Sequence, residues 1–272
     1  MTGENFHDGA PLSIPFAKRT LALGQDRLKR IFNSCKCPVG LENLAFSYSL
    51  EEVKNHGEFL DQLVESINGF IILDIHNIYC QIHNFNLEFD DIIDLYPLHR
   101  VREIHISGGS WEDSRMKPEK KIRRDTHDHS VPEEVFQLLE YTINKCVNLK
   151  YVVLEQLGTG LDTLEGRVLF QQDFLRLNTI VQHENNKLVE KRTNTFLPVT
   201  PFSPGPPVED KLLHAQQLEL SAILETAITC ERAKQLLHSS VLANTDWEVE
   251  KWEDCMLETA ISIAQKWKNG FN

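Results

Sequence analysis

The sequence predicts an α/β fold: parallel strands alternating with helices in a (β/α) barrel, followed by a C-terminal helical appendage. Three observations carry this. Short apolar runs recur at Val39-Gly-Leu-Glu42-Asn43, Phe70-Ile-Ile-Leu-Asp74, Val101-Arg-Glu-Ile-His105-Ile and Tyr151-Val-Val-Leu-Glu155, and the steps from Glu42 to Asp74, Asp74 to His105 and His127 to Glu155 are each about 30 residues, the length of a strand-helix-strand unit. Between them lie stretches with apolar residues at helical spacing. Near-continuous apolar strands separated by helices indicate a parallel sheet buried on both faces. The carboxylates and imidazole at successive strand ends favour a closed barrel over an open doubly wound sheet.

Taken in order, Pro15 to Phe32 places Leu21, Leu28, Ile31 and Phe32 on one helical face before the strand that ends at Glu42. Ser49-Leu-Glu-Glu52 is a capping-box start, followed by Val53, Phe59, Leu60, Leu63, Val64 and Ile67. The strands ending at Asp74 and near His105 come next. The basic stretch Lys117-Pro-Glu-Lys-Lys-Ile-Arg-Arg124 reads as a solvated loop. A second capped helix starts at Ser130-Val-Pro-Glu133 and carries Phe136, Leu139, Ile143 and Val147 toward the strand ending at Glu155. From Phe196 to Pro207 the chain is rich in proline and cannot be helical. Asp210 to Trp267 is helical in pattern. The expected organisation is a barrel domain over 1–195, a linker over 196–208 and a helical module over 209–272.

With 272 residues, 41% of them hydrophobic and 25% charged, the chain has the composition of an ordinary globular protein large enough for a full core. A net charge of -12 argues against a broad nucleic-acid surface. No run approaches the roughly 18 apolar residues a membrane span needs, and the N-terminus lacks the pattern of a secretory signal. The expected location is cytoplasmic. Of the six cysteines only Cys35 and Cys37 are close in sequence, which reads as scattered thiols rather than a disulfide framework.

A buried carboxylate costs several kcal/mol unless a cation, donor network or metal answers it. Glu42, Asp74, His105 and Glu155 pose that problem on successive strands, which points to one shared site. Asn77 follows Asp74 where the chain leaves the sheet. Asp125-Thr-His127 would put two further side chains on one face of an extended segment. His76 is a supporting candidate beside these residues, and His7, His83, His99 and His129 read as loop residues.

Leu41-Glu42-Asn43, Leu73-Asp-Ile-His-Asn77-Ile-Tyr79, Glu103-Ile-His105-Ile-Ser-Gly-Gly109, Asp125-Thr-His127-Asp128 and Leu154-Glu155 together resemble, in order and spacing, the multinuclear non-haem iron-dependent oxidative enzymes. That group contains the catalytic subunit of methanobactin synthase. The resemblance runs from about Phe6 to Glu155. It implies a xylose-isomerase-like TIM-type barrel holding two or three irons and oxidising cysteines of ribosomally made precursor peptides with dioxygen. It places metal ligands at Glu42, Asp74, Asn77, His105, Asp125, His127 and Glu155. Beside these, Asn43, His76 and His129 are supporting candidates from their places in the sequence. It also implies a precursor peptide substrate and a partner protein that recognises the leader. Members of the group begin with further strands that donate two more histidines, whereas here Phe6-His-Asp-Gly-Ala-Pro-Leu-Ser-Ile-Pro15 already enters the helix before the Glu42 strand. The expected fold is therefore a partial barrel lacking its N-terminal third.

Two other functions are compatible with the same residues. A divalent-metal barrel hydrolase or isomerase, of the endonuclease-IV or sugar-isomerase kind, uses a similar carboxylate and histidine set. The acidic balance and the lack of a Gly-rich phosphate loop at a helix start weigh against a DNA substrate. An inactive truncated pseudoenzyme is the other alternative.

Overall fold

The first helix, α1 (Lys18–Cys35), leads into strand β1 (Gly40–Glu42), and α2 (Leu50–Glu65) follows. Next come β2 (Phe70–Asp74), α3 (Ile75–Phe85), the short α4 (Phe89–Ile93), β3 (Val101–Ser107), a hairpin of β4 (Trp111–Asp113) and β5 (Lys121–Arg123), α5 (Glu133–Ile143), β6 (Tyr151–Glu155) and α6 (Leu164–Lys187). Three further helices close the order: α7 (Lys211–Thr226), α8 (Cys230–His238) and α9 (Asp254–Lys268). This computed structural model describes residues 12–187 and 205–268. Residues 196–204 of the expected linker, and His7, lie outside the described residues.

Strands β1, β2, β3 and β6 form one parallel sheet in that order. This is the α/β architecture of a partial barrel. One face of the sheet carries Ile71, Leu73, Ile104 and Ile106, all fully buried. Because side chains alternate along a strand, Asp74, His105 and Glu155 project from the other face. Register aligns them: Asp74 pairs with His105, and Ser107 with Glu155. The polar residues thus gather at the carboxyl ends of the strands, where open α/β sheets and barrels place their sites.

Local sequence explains the element ends. The hydroxyl of Ser49 accepts from the Glu52 N–H at 3.3 Å, while the Glu52 carboxylate accepts from the Tyr48 N–H at 2.8 Å, one residue earlier than the standard box. The Asp74 carboxylate caps α3 by accepting from the Asn77 N–H at 2.8 Å. Helix α5 starts after Pro132 with no side-chain cap and ends at Ile143, so Val147 falls beyond it and is exposed.

The C-terminal helices share the hydrophobic core of the α/β part. Trp252 stacks on Tyr48 with ring centroids 3.7 Å apart, and the Glu253 N–H donates to the Tyr48 carbonyl. Glu258 on α9 accepts from the Ser114 hydroxyl and from the Arg115 and Met116 N–H groups, which ties α9 to the hairpin loop. Among the described residues no helix is long and apolar enough to cross a membrane.

Candidate metal centre

Glu42, Asp74, His105 and Glu155 bring one donor atom each to within 4.8 Å of one another. Donors around one first-row ion stand about 3 to 4.4 Å apart, given bond lengths near 2.0–2.2 Å. The Glu42 side chain is partly exposed and lies at the open side of the group. His105 Nδ1 lies 3.1 Å from Glu155 Oε1 and 3.9 Å from Glu42 Oε1. It is buried and makes no aligned hydrogen bond. Its Nε2 is occupied, lying 2.6 Å from Glu103 Oε1. A carboxylate behind an imidazole, leaving the other nitrogen aimed at a shared point, is how metal-binding histidines are held.

Asp125 and His127 form a second arm. Their contact, His127 Nε2 to Asp125 Oδ1 at 2.8 Å, is made across a turn in which His127 adopts a left-handed φ of 52°. The two residues meet as expected, but through that turn rather than on one face of an extended segment. Two bonds hold the turn: the Ser110 N–H donates to the Thr126 hydroxyl, and the Leu157 N–H donates to the His127 carbonyl. Glu155 faces both arms, with Oε1 toward His105 and Oε2 3.7 Å from His127 Nε2. His76 Nδ1, His127 Nε2 and the Ser107 hydroxyl all meet Oδ1 of Asp125.

The Asn77 amide donates to the Asn43 carbonyl at 2.8 Å and approaches Glu42 Oε1 at 3.5 Å. Asn43 brackets Asp74, accepting from its N–H at 2.7 Å and donating to its carbonyl at 3.0 Å. His129 is exposed and paired with Asp128, away from the cluster. Sequence reasoning missed Glu103 and Arg123. Glu103 could have been found from its place two residues before His105 on the same strand face. Arg123 lies in the stretch expected to be a solvated loop, yet it is buried in β5 and donates from Nε and Nη2 to His76 Nε2 at 3.1 and 2.9 Å. Cβ atoms at Gly109 would sit 2.1 Å from the Arg124 carbonyl oxygen and 2.8 Å from His76, so glycine there permits the close approach of loop and imidazole.

The electrostatics are those of a site built for cations. Burial pushes Asp74 well above the usual carboxylate range, and repulsion from Asp125, Glu42 and Glu155 adds to it. Burial also raises Glu42. Burial alone would depress His105, but the adjoining Glu155 and Glu103 carboxylates outweigh it and hold the imidazole up at about 9. His127, opposed in the same way by burial, is held at about 9 by Asp125. Burial likewise opposes ionisation of Asp125, but His127 and His76 keep it well below its ordinary range. Protonated imidazoles therefore neutralise the carboxylates here, and an incoming metal ion would displace those protons. Asp74 Oδ2 and Asn77 Oδ1 are buried without a hydrogen-bond partner, and His105 Nδ1 and His127 Nε2 face carboxylate oxygens of Glu42, Glu155 and Asp125. Buried oxygen and nitrogen donors gathered in this way fit a metal.

The sequence profile described as RiPP precursor modification enzyme MbnB/TglH/ChrH matches residues 1–157, the segment that carries every one of these side chains. The chain belongs to this family. Its members modify ribosomally synthesised precursor peptides and have a xylose-isomerase-like TIM-barrel fold. Curated relatives include a UPF0276 protein of Acinetobacter baylyi, 25% identical over 154 residues, covering 55% of this chain and 51% of the relative. A UPF0276 protein of Caulobacter vibrioides is 29% identical over 147 residues, covering 51% and 46%. The chain spans about half the length of the curated relatives it matches.

Proposed function

We propose that this chain is an iron-dependent oxidase that uses dioxygen to modify a residue, cysteine, of a ribosomally synthesised precursor peptide. The observation that carries the reading is Glu155, whose two oxygens face two separate donor groups. In this reading Glu42, Asp74 and His105 would hold one ion and Asp125 and His127 a second, with Glu155 placed beside both groups. Asn77, with its orphaned Oδ1, completes the set. Iron bound there would supply redox equivalents and open coordination positions for a thiolate and for dioxygen.

The chain's own groups account for the rest. Glu103 orients His105 from behind, Asn43 fixes the backbone of Asp74, and burial of the sheet's other face beneath the helices holds the strand ends in register. The helices from Lys211 to Lys268 would meet a leader-recognising partner. The test is elemental analysis after anaerobic iron loading, followed by exposure of a cysteine-containing precursor peptide to the protein and dioxygen, with mass spectrometry as the readout. We expect more than one iron per chain and a mass change confined to a cysteine residue. Stoichiometric zinc without iron, or unchanged iron in a His105→Ala and His127→Ala double variant, would refute it.

A further inference from the structure

We propose that Arg123 is a positioning residue, which locks His76 in the Nδ1–H tautomer and thereby fixes Asp125 at the metal centre. The argument rests on donors and acceptors. A guanidinium only donates, so the two Arg123 nitrogens at 3.1 and 2.9 Å require a lone pair on His76 Nε2. The proton of the neutral ring then sits on Nδ1, 3.0 Å from Asp125 Oδ1. That is the tautomer an isolated imidazole disfavours, and here the Arg123 donors at Nε2 and the Asp125 carboxylate at Nδ1 impose it together. Both nitrogens of His76 are committed, which removes it from the ligand set.

Arg123 itself is held from several sides. Its guanidinium carbon lies 5.4 Å from the ring centre of Tyr79 and 5.2 Å from that of Trp111, its cross-strand partner in the hairpin. Cationic guanidinium between aromatic rings is a favourable arrangement. The side chain of Asn84 clamps the Arg123 backbone at both polar groups, accepting from its N–H at 2.8 Å and donating to its carbonyl at 3.0 Å. His76, Cys80 and Asn84 are spaced four apart on α3, so one helical face holds both the arginine and the imidazole it addresses. The consequence reaches the site at Asp125: His76, His127 and Ser107 engage Oδ1, and Oδ2 is left for an ion.

This inference deepens the proposed metal centre and rests on it only for its effect on affinity. The first measurement needs no metal: nitrogen-15 NMR of histidine-labelled, metal-free protein. We expect His76 to show a protonated Nδ1 and an unprotonated Nε2, and Arg123→Met to shift it toward the Nε2–H form. Arg123→Lys keeps a charge and most of the volume but neither the paired donors nor the flat guanidinium, and should shift it partly. The second measurement is an anaerobic titration with iron(II) or cobalt(II), in which Arg123→Met should weaken binding roughly 10- to 100-fold. The double variant Arg123→Met with His76→Gln should be no weaker than His76→Gln alone, because both act through one contact. An Nε2–H His76 in the parent protein overturns the proposal, as does a tautomer unchanged in Arg123→Met or a fully additive double variant. If the tautomer behaves as expected but the parent binds no metal, the proposed metal centre fails while the Arg123–His76 lock stands.

Discussion

Asp74→Asn separates the cost of the site to the fold from its use. Asp74 is fully buried, its Oδ1 caps α3, and its Oδ2 has no partner. Asparagine keeps an oxygen for the cap and removes the charge. Two unit charges 4.8 Å apart, the outer spacing of the donor cluster, repel by about 3.5 kcal/mol at an effective dielectric constant near 20. Partial exposure of Glu42 and the neighbouring imidazoles reduce this, so we expect a net gain of about 1–2 kcal/mol in the metal-free protein at pH 8. The sign follows from linkage. Asp74 has a raised pKa in the fold, so the folded state holds its proton more tightly than the unfolded state. The stability this confers is complete below the unfolded carboxylate pKa and is lost as pH rises through the folded value. Asp74→Asn should therefore flatten the decline of metal-free stability with rising pH. At roughly 2–4 °C per kcal/mol for a chain of this size, its melting temperature in chelator at pH 8 should exceed the parent's by about 2–8 °C. Adding iron(II) or cobalt(II) should reverse the order, because the parent gains more binding energy than the variant. The assay is thermal unfolding with and without metal at pH 5 and pH 8. A metal-free variant less stable than the parent at pH 8, or one stabilised by metal as strongly as the parent, would refute the reasoning.

Three further outcomes are expected. Glu52 is half-buried, and desolvation pushes it up to about 7, so its stabilising contribution is present at pH 4 and lost as pH rises to 7; Glu52→Gln should gain about 3 kcal/mol at pH 8 and nothing near pH 4, by urea unfolding at both. Glu103→Gln removes the charge behind His105 and should lower metal affinity about 10- to 100-fold while leaving the far-ultraviolet circular dichroism unchanged, measured by calorimetric titration. Trp252→Ala deletes the ring stacked on Tyr48 and should cost about 3–5 kcal/mol in denaturant unfolding; a loss below 1 kcal/mol would show that the C-terminal helices lean only weakly on the α/β part.

The ends of the strands were legible because burial and charge conflict there. A run such as Phe70-Ile-Ile-Leu ending in Asp74 is dictated by the sheet up to Leu73 and contradicted by Asp74, and such contradictions mark function. The capping box at Ser49 and Glu52 was legible as local chemistry. Arg123 was not. Lys117, Lys120, Lys121, Arg123 and Arg124 look alike in sequence, and tertiary contacts with Asn84, His76, Tyr79 and Trp111 decide which cation is buried. Asp125 and His127 were legible as partners but not in their geometry, because the left-handed turn at His127 is set by loop bonds to Ser110 and Leu157 that lie far from it in sequence or on another element.

The same distinction explains how the centre is divided. The proposed ligands on the strands, Glu42, Asp74, His105 and Glu155, owe their positions to sheet register and would keep them under most loop changes. Asp125 and His127 owe theirs to a hairpin and a turn, which depend in turn on Asn84, Arg123 and the grip of Glu258 on residues 114–116. Local stability is lowest where few buried contacts hold a segment. An ion held by Asp125 and His127 should therefore exchange faster than one held by the strand ends, with Glu155 feeling both. Perturbations of α9 that release Glu258 should reach the second position first and leave the first nearly untouched, because nothing in the path from α9 to the hairpin passes through the parallel sheet.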